Sequence, residues 1–469
     1  CYITDTGKDD GVVDYEIFDG QGASTDLIGY AIHRCTSMAN AAAAGRAQNY
    51  LVTLVNDSTL TLGVRNENTV PGQDWVGISN IHVTYYETLK DAEAYIDKTL
   101  ECMAARAQGI INFLPSTGAD YAQHPGCPQE LKDKLEEAVK AIATSTTPEE
   151  KYALVQTFST LFEQVLEARK AYVSMVDEAM VIYNIAQKLD EAKLLTPEEY
   201  NTAMDKYNTV LTIYENGSYT TEQARNLSIF KDSGFYPELV DGEYQISTNA
   251  QLLYFAEKAT KGVKGKLLAD IANFTGAQMI GQFRGILNGN GHKVTLNIER
   301  TEDNAAFIAS MEAGAEVHNL VIEGTVKTTK KYAASVAANT QENCRISQVS
   351  SSVDIVTETA GDGTHAGLVA VVGGYTRIEN SLFSGSIKGT GTSDVGGLVG
   401  WSDKASKISN CLQIATFDLD TKGCNTIARN PGKSAAINTY FKNALGDIAG
   451  TQVTDEQLAA YEQVVAAAN

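Results

Sequence analysis

The amino-acid sequence predicts a multidomain α+β protein: a β module, then a helical bundle spacer, then a right-handed parallel β-helix with a capping helix. Three observations lead to this prediction. The composition of the 469 residues changes along the chain, a middle segment repeats apolar residues at helical spacing, and a later segment repeats at a period near 30. The predicted domains are residues 1–88, 89–235, 236–430 and 431–469.

The first 88 residues are rich in Gly, Asp, Thr and Asn. Their run NYLVTLVNDSTLTLGVRN places an Asn-Asp-Ser turn between two strand-like segments, which is a hairpin pattern. We therefore predict that residues 1–88 form a β module.

The middle segment shows a helical pattern. From Leu154 to Leu189, apolar residues recur at alternating steps of four and three for five heptads, as in a coiled coil or a long antiparallel bundle. Capping-box patterns with Pro at the first helical position begin at Thr147 and Thr196. We predict four helices, at residues 89–114, 129–145, 148–193 and 197–215, and interpret them as a spacer whose apolar stripe is core.

The repeat follows in the last half of the chain. One aligned column holds a mostly apolar set: Phe307, Ser335, Leu368 and Leu398. A second column holds amide side chains: Asn319, Gln348, Asn380 and Asn410. A period near 30 with about three strands per repeat fits one turn of a parallel β-helix, and we expect the amides to stack as a ladder inside the coil. A helix from Thr248 or Asn249 and a helix from Thr454 are predicted to cap the two ends.

The charge balance restricts the possible partners. The chain has 37 Lys and Arg against 58 Asp and Glu, a net charge of −21. Such a surface repels phosphate backbones, so nucleic acid and anionic lipid are excluded as expected partners. The sequence also has no run of about 18 apolar residues that would span a membrane.

Motifs for metal or cofactor chemistry are missing from the sequence. The seven cysteines show no CxxC spacing, and the acidic run from Asp5 to Asp19 misses the spacing of an EF-hand. A glycosidase needs two neighbouring carboxylates, but none of the candidates falls in an acidic pair repeated on adjacent coils: Glu323, Asp354, Glu379 and Asp394. We therefore predict a protein that is not an enzyme and has no cofactor and no metal.

Three passages resemble parts of multidomain surface proteins of gut Bacteroidetes, one of them the helical middle, which resembles their spacer bundles. YQISTNAQLLYFA, LLADI, FRGILNGNGHKV and GGLVGWSDKASKISNC resemble the entry segment and repeats of GLUG-type β-helix domains, over about 190 residues. LTLGVRNENTVPGQDWVGISNIHVTYYE resembles the closing strands of galactose-binding-like, carbohydrate-binding β-sandwiches. Only 88 residues precede the helices, so the resemblance implies a partial sandwich: either its early strands lie outside this sequence or the domain is abbreviated.

Glycan binding requires aromatic rings that stack on sugar faces, with polar side chains that reach the hydroxyl groups. In the predicted sandwich the candidates are Trp75, Asp74 and Arg65, with packing of Trp75 in the core as the alternative. In the predicted β-helix the candidate is Trp401, with a buried corner as the alternative, and Tyr375 is similar but weaker. Cys1 is either the boundary of a fragment or a lipidated N-terminus, as in bacterial lipoproteins.

The resulting hypothesis is a non-enzymatic adhesion or glycan-binding protein at the bacterial cell surface or outside the cell, with lipid anchoring to the outer membrane through Cys1 as one form. Its expected partners are an extracellular glycan, a host or surface protein, or other outer-membrane proteins. Two alternatives stay open: a β-helix carbohydrate-active enzyme (a polysaccharide lyase or glycosidase), and a structural component of a surface assembly or nutrient-uptake complex. The functional step follows from the fold by analogy.

Overall fold

The computed structural model describes residues 2–3, 52, 63–64, 83–115, 126–226, 234–430 and 432–459. It shows an α+β chain with a parallel β-helix, divided into two compact units: Cys1–Met180 with Asp205–Ile229, and Val181–Met204 with Phe230–Asn469. In the segment of the predicted β-sandwich, the described strands form one parallel pair, Tyr2–Ile3 with Gly63–Val64, which does not test that prediction. The rest of that prediction lies outside the described residues, and so do four predicted site residues: Cys1, Arg65, Asp74 and Trp75.

The described residues between 83 and 226 form five helices: α1 Glu93–Ile111, α2 Gln129–Ile142, α3 Pro148–Glu191, α4 Pro197–Asn216 and α5 Thr221–Asn226. The four predicted helices are confirmed, and short α5 was not predicted. The capping box at the start of α3 is also present. Thr147 Oγ1 accepts the Glu150 N–H at 3.2 Å, and the Glu150 carboxylate accepts the Thr147 N–H at 3.1 Å. Thr196 and Glu199 pair in the same way at the start of α4.

The apolar stripe of α3 packs as predicted. Phe158 and Val165 are fully buried, in one core with Ile96 and Leu100 of α1 and Leu135 of α2. Burial of each such side chain stabilises the bundle by about 1.5–3 kcal/mol. The stripe is therefore structural core.

The β-helix has three parallel faces. Face A contains Ile280–Phe283, Ile308–Met311, Ala337–Thr340, Val369–Val372 and Val399–Ser402. Face B contains Lys264–Leu267, Ile286–Asn288, the start of Glu316–Thr328, Cys344–Ser351, Thr376–Glu379, Ser406–Ser409 and Ser434–Ile437. Face C contains Ile271–Thr275, Lys293–Arg300, the end of Glu316–Thr328, Asp354–Thr357, Ser386–Gly389 and Thr416–Leu419. Short corner strands complete the coils: Leu382–Phe383, Leu412–Gln413, Tyr440–Phe441 and Thr451–Gln452, with Gly361–Asp362 beside Thr392–Ser393.

Helix α6, Asn249–Lys258, lies at the N-terminal end of the β-helix. It is capped as predicted, because Thr248 Oγ1 accepts the Gln251 N–H at 3.2 Å. Its buried Phe255 contacts Phe283, with ring centroids 5.9 Å apart. Before α6, Glu238–Val240 pairs antiparallel with Glu243–Ile246, which joins Lys264–Leu267 in parallel. Residues 455–459 are helical, and the rest of the predicted C-terminal helix lies outside the described part of the chain.

The strand register corrects two details of the predicted repeat. Ile308 pairs with Ala337, so Val336 stacks on Phe307, and the predicted Ser335 was wrong by one residue. The amide column has the predicted register but lies on the outside, because all four residues are exposed and have φ between 51° and 55°. Asn tolerates this left-handed conformation better than most residues. The predicted ladder inside the coil is therefore wrong, although Asn410 Nδ2 donates to Asn380 Oδ1 at 3.2 Å outside it.

Candidate ligand-binding groove

A row of outward-facing side chains runs along face A. It consists of residues in register on five coils: Gln282, Ser310, Asn339, Val371 and Trp401. The residue that follows each of them is buried, because successive side chains alternate between the two sides of a strand: Phe283, Met311, Thr340, Val372 and Ser402. At about 4.8 Å between neighbouring strands, the row is about 19 Å long.

The row from Ser310 to Trp401 forms the floor of a groove of about 690 Å³, which we call the Trp401 groove. Beside the floor, a column of residues on successive coils consists of Asn304, Tyr332, Thr364 and Asp394. The first three of these residues line the groove and form one of its walls. All four have positive φ, at 70°, 68°, 45° and 59°. Tyr and Thr rarely adopt a positive φ, because this backbone conformation raises the free energy of the folded state by about 1–3 kcal/mol. Residues strained in this way are often found at functional sites. The fold thus keeps a strained wall beside the aromatic residue.

Trp401 is held in place by two polar side chains. Its Nε1 donates to Asp403 Oδ1 at 2.7 Å, and the guanidinium of Arg429 lies 5.2 Å from its ring centroid. The side chain remains 36% exposed. The alternative of a buried corner is wrong, because Trp401 lies within the strand Val399–Ser402 and faces outward.

Arg429 links the wall to the floor. Its Nη2 contacts Asp394 Oδ1 at 2.8 Å, and its Nη1 donates to the Asp394 carbonyl at 2.7 Å. The same Nη1 lies 3.4 Å from Asp362 Oδ1 and 3.2 Å from Thr364 Oγ1. Since the Arg429 side chain is only 13% exposed, this network fixes its guanidinium.

Asp362 is the most strongly bound carboxylate of the groove. Its Oδ2 lies 2.7 Å from Lys331 Nζ, and its Oδ1 accepts from Thr364 Oγ1 at 2.7 Å. Partial burial opposes its ionisation, but the hydrogen bonds from Lys331 and Thr364 outweigh that effect and hold the pKa of Asp362 below its ordinary value. In return, the hydrogen bond to Asp362 raises the pKa of Lys331.

This cluster was not found from the sequence. Asp394 has an acidic neighbour on the preceding coil, because Asp362 is in register with the adjacent Ser393, but this single contact is not an acidic pair repeated on adjacent coils. The repeat spacing would have placed Asp362 beside Ser393, but Arg429 lies on a further coil with no motif of its own.

The other candidate carboxylates lie elsewhere on the β-helix, each with a polar partner. Glu323 contacts Lys293 at 3.1 Å, Asp354 accepts from Ser386 Oγ, and Glu379 accepts from Arg345 Nε at 3.2 Å. The structure therefore does not bring the four predicted carboxylates together.

Metal and thiol chemistry have little support in the described residues. They contain no group of three or more His, Cys, Asp or Glu side chains that could hold a metal ion. Burial raises the pKa of Cys127, Cys344 and Cys411 to about 11, so these thiols are inert at neutral pH. None of the described helices is long and apolar enough to cross a membrane.

Comparisons with known proteins give little beyond this geometry. No family model matches the chain, and no curated protein matches it. A similar solved structure is the crystal structure of a "putative immunoglobulin A1 protease" from Bacteroides ovatus. It is 15% identical, with a TM-score of 0.36, and the match covers 47% of this chain and 87% of that one.

Proposed function

We propose that this chain is a non-enzymatic adhesion or glycan-binding protein whose β-helix binds an extended glycan in the Trp401 groove. The observation that carries the proposal is Trp401, outward-facing and fixed by Asp403 and Arg429 at the end of a row that also presents the polar side chains of Ser310 and Asn339. A GLUG-type surface protein of Bacteroidetes, placed at the outer membrane, is part of the same proposal.

The chemistry of the groove suits a sugar chain. A fixed aromatic ring offers an apolar surface to a sugar face, and Ser310, Asn339 and Asp403 supply donors and acceptors for hydroxyl groups. Because Trp401 and Arg429 are already held by other residues, little side-chain entropy is lost on binding. A groove along several coils suits an extended ligand better than a compact one.

Binding is favoured over hydrolysis by the charge state of the groove. A glycosidase needs one carboxylic acid that stays protonated to act as the general acid. The lowered pKa of Asp362 keeps it ionised, and Asp394 is engaged by Arg429. The pair therefore serves to hold Arg429 in place rather than to transfer a proton.

The test is a glycan array with the full chain and two variants, Trp401→Ala and Tyr440→Ala. Tyr440 is the matched control, since it is an aromatic side chain of the β-helix that is 40% exposed and lies outside the groove. We expect Trp401→Ala to weaken binding at least about tenfold, or about 1.4 kcal/mol, and Tyr440→Ala to leave it unchanged.

Equal binding by wild type and Trp401→Ala would contradict the proposed site. If no form bound any glycan, a structural role in a surface assembly would be the better hypothesis. Hydrolysis or elimination of a bound glycan would instead favour the enzyme alternative.

A further inference from the structure

A second groove, on the neighbouring face B, carries an opposite charge to the chain as a whole. Its volume is about 660 Å³, and we call it the lysine groove. Its lining includes Tyr375, Lys404, Lys407, Lys433 and Ile437, and none of the described residues that line it is Asp or Glu. In a chain of net charge −21, a groove with three cations and no anion needs an explanation.

Stacking of coils brings these lysines together. Lys404 lies in the corner that follows Val399–Ser402, and Lys407 lies in the adjoining strand Ser406–Ser409. Lys433 lies on the next coil, where its carbonyl accepts the Ser406 N–H at 2.8 Å. Arg377, in register with Lys407 on the preceding coil, extends the positive surface.

Three carboxylates near the groove each have a hydrogen-bond partner other than its lysines. Glu342 Oε2 accepts the Tyr375 N–H at 3.0 Å, Glu379 accepts from Arg345, and Asp403 Oδ1 accepts from Trp401. In the part of the chain that the structure describes, neither Lys404 nor Lys407 makes an ion pair. Their two ammonium groups are therefore free to pair with an anion in the groove.

We infer that the lysine groove binds the carboxylate or sulfate groups of an acidic glycan, an inference that rests on the proposed glycan-binding function. Tyr375 and the exposed Ile437 supply apolar surface for the sugar rings beside the charges. The two grooves meet at Asp403, whose side chain lines the Trp401 groove while its carbonyl accepts from Lys433 Nζ at 2.7 Å. One glycan chain can contact both grooves around this corner.

The experiment measures binding of the full chain to polygalacturonate, hyaluronate and chondroitin sulfate, and to the carboxyl-reduced form of the first. The test variant is Lys404→Gln/Lys407→Gln. The matched control is Lys327→Gln/Lys388→Gln, which removes the same charge from two exposed lysines of face C.

We expect at least one acidic polymer to bind the wild type. The affinity for that polymer should fall at least tenfold in the Lys404→Gln/Lys407→Gln variant and change less than twofold in the control. Its affinity should also fall with added salt, which screens exposed charges. Equal losses in the two double variants would overturn the inference, because they would show an effect of total charge. Binding of single-stranded DNA as tightly as the acidic polymer would also overturn the inference.

The same experiment separates the two proposals. In one outcome, the wild type binds the neutral polymer, Trp401→Ala abolishes that binding, and the Lys404→Gln/Lys407→Gln variant binds the acidic polymers as the wild type does. This outcome would leave the proposed function intact and overturn the inference about the lysine groove. If none of the polymers bound the wild type, the inference would be overturned together with the support for glycan binding.

Discussion

His365 is an ionisable group enclosed within the β-helix. The Ala333 N–H donates to its Nδ1 at 3.0 Å, so its Nε2 carries the proton and donates to Thr357 Oγ1 at 2.9 Å. Burial lowers the pKa of His365 to about 4, with a smaller opposing effect of Asp362. The folded protein therefore holds this imidazole neutral, and both of its nitrogens are used.

This burial predicts a pH dependence of stability. The pKa of His365 is depressed from 6.5 to about 4 in the folded state, so below pH 6.5 the unfolded chain binds a proton that the folded chain does not. The contribution of the neutral His365 to the free energy of unfolding is therefore fully present above pH 6.5. It is lost as the pH falls towards 4, and the total loss is about 3 kcal/mol.

The measurement is thermal unfolding of wild type and His365→Gln between pH 7 and pH 4. Part of the loss of stability on acidification should be missing in His365→Gln, whose amide can replace both hydrogen bonds. Parallel pH profiles of the two proteins would show that His365 does not contribute.

Single residues show what the sequence could and could not predict about the site. Trp401 was predicted because a tryptophan directly after a GGLVG strand can be recognised from the local sequence alone. Asp362, Thr364 and Arg429 were missed because 67 positions separate Asp362 from Arg429 in sequence, and only the coil stacking brings them into contact.

At the scale of elements, the GGLVG segment is explained by close stacking of coils. A Cβ on Gly397 would lie 1.9 Å from the carbonyl oxygen of Thr426, so a larger residue would push the backbone of the next coil. Gly397 also donates its N–H to the Asn425 carbonyl at 2.9 Å and accepts from Gly367 N–H at 3.2 Å. The glycine therefore keeps three coils in hydrogen-bonding contact.

Gly397→Ala should destabilise the β-helix by about 3 kcal/mol, because overpacking against backbone cannot be relieved by a side-chain rotation. For a domain of this size the midpoint of thermal unfolding would fall by roughly 6–12 °C. Gly281→Ala is the control, since a Cβ there meets nothing within 4 Å and the residue is exposed on face A. Similar melting of both variants by calorimetry would refute this explanation.

The elements were predicted best where one local interaction defines them. Capping boxes placed the starts of α3 and α4, because a Thr and a Glu three residues apart bond to each other's backbone. The amide column was placed on the wrong side because its physical reason, a left-handed corner at Asn319 and its equivalents, cannot be distinguished from internal stacking by spacing alone. Ser335 was misaligned because the repeat length varies between coils.

For the whole molecule, charge and function are distributed unevenly. The net charge of −21 led to the expectation that phosphate backbones are not partners, but it does not describe the lysine groove on face B. Total charge is a sum over the chain, whereas ligands encounter the local field of a groove. For this reason the composition led to an expectation about nucleic acid, which depends on the net charge. It did not predict the acidic glycan, which depends on the local charge of one groove.

The two tryptophans of the chain, Trp75 and Trp401, allow glycan binding in the Trp401 groove to be observed directly. Trp75→Phe leaves Trp401 as the only tryptophan, and Trp401→Phe leaves Trp75. Each variant is titrated with a glycan identified on the array, and its tryptophan emission is recorded. Glycan binding in the Trp401 groove predicts a saturable shift of emission in Trp75→Phe and none in Trp401→Phe. A shift confined to Trp401→Phe would place the glycan at Trp75 and contradict the account.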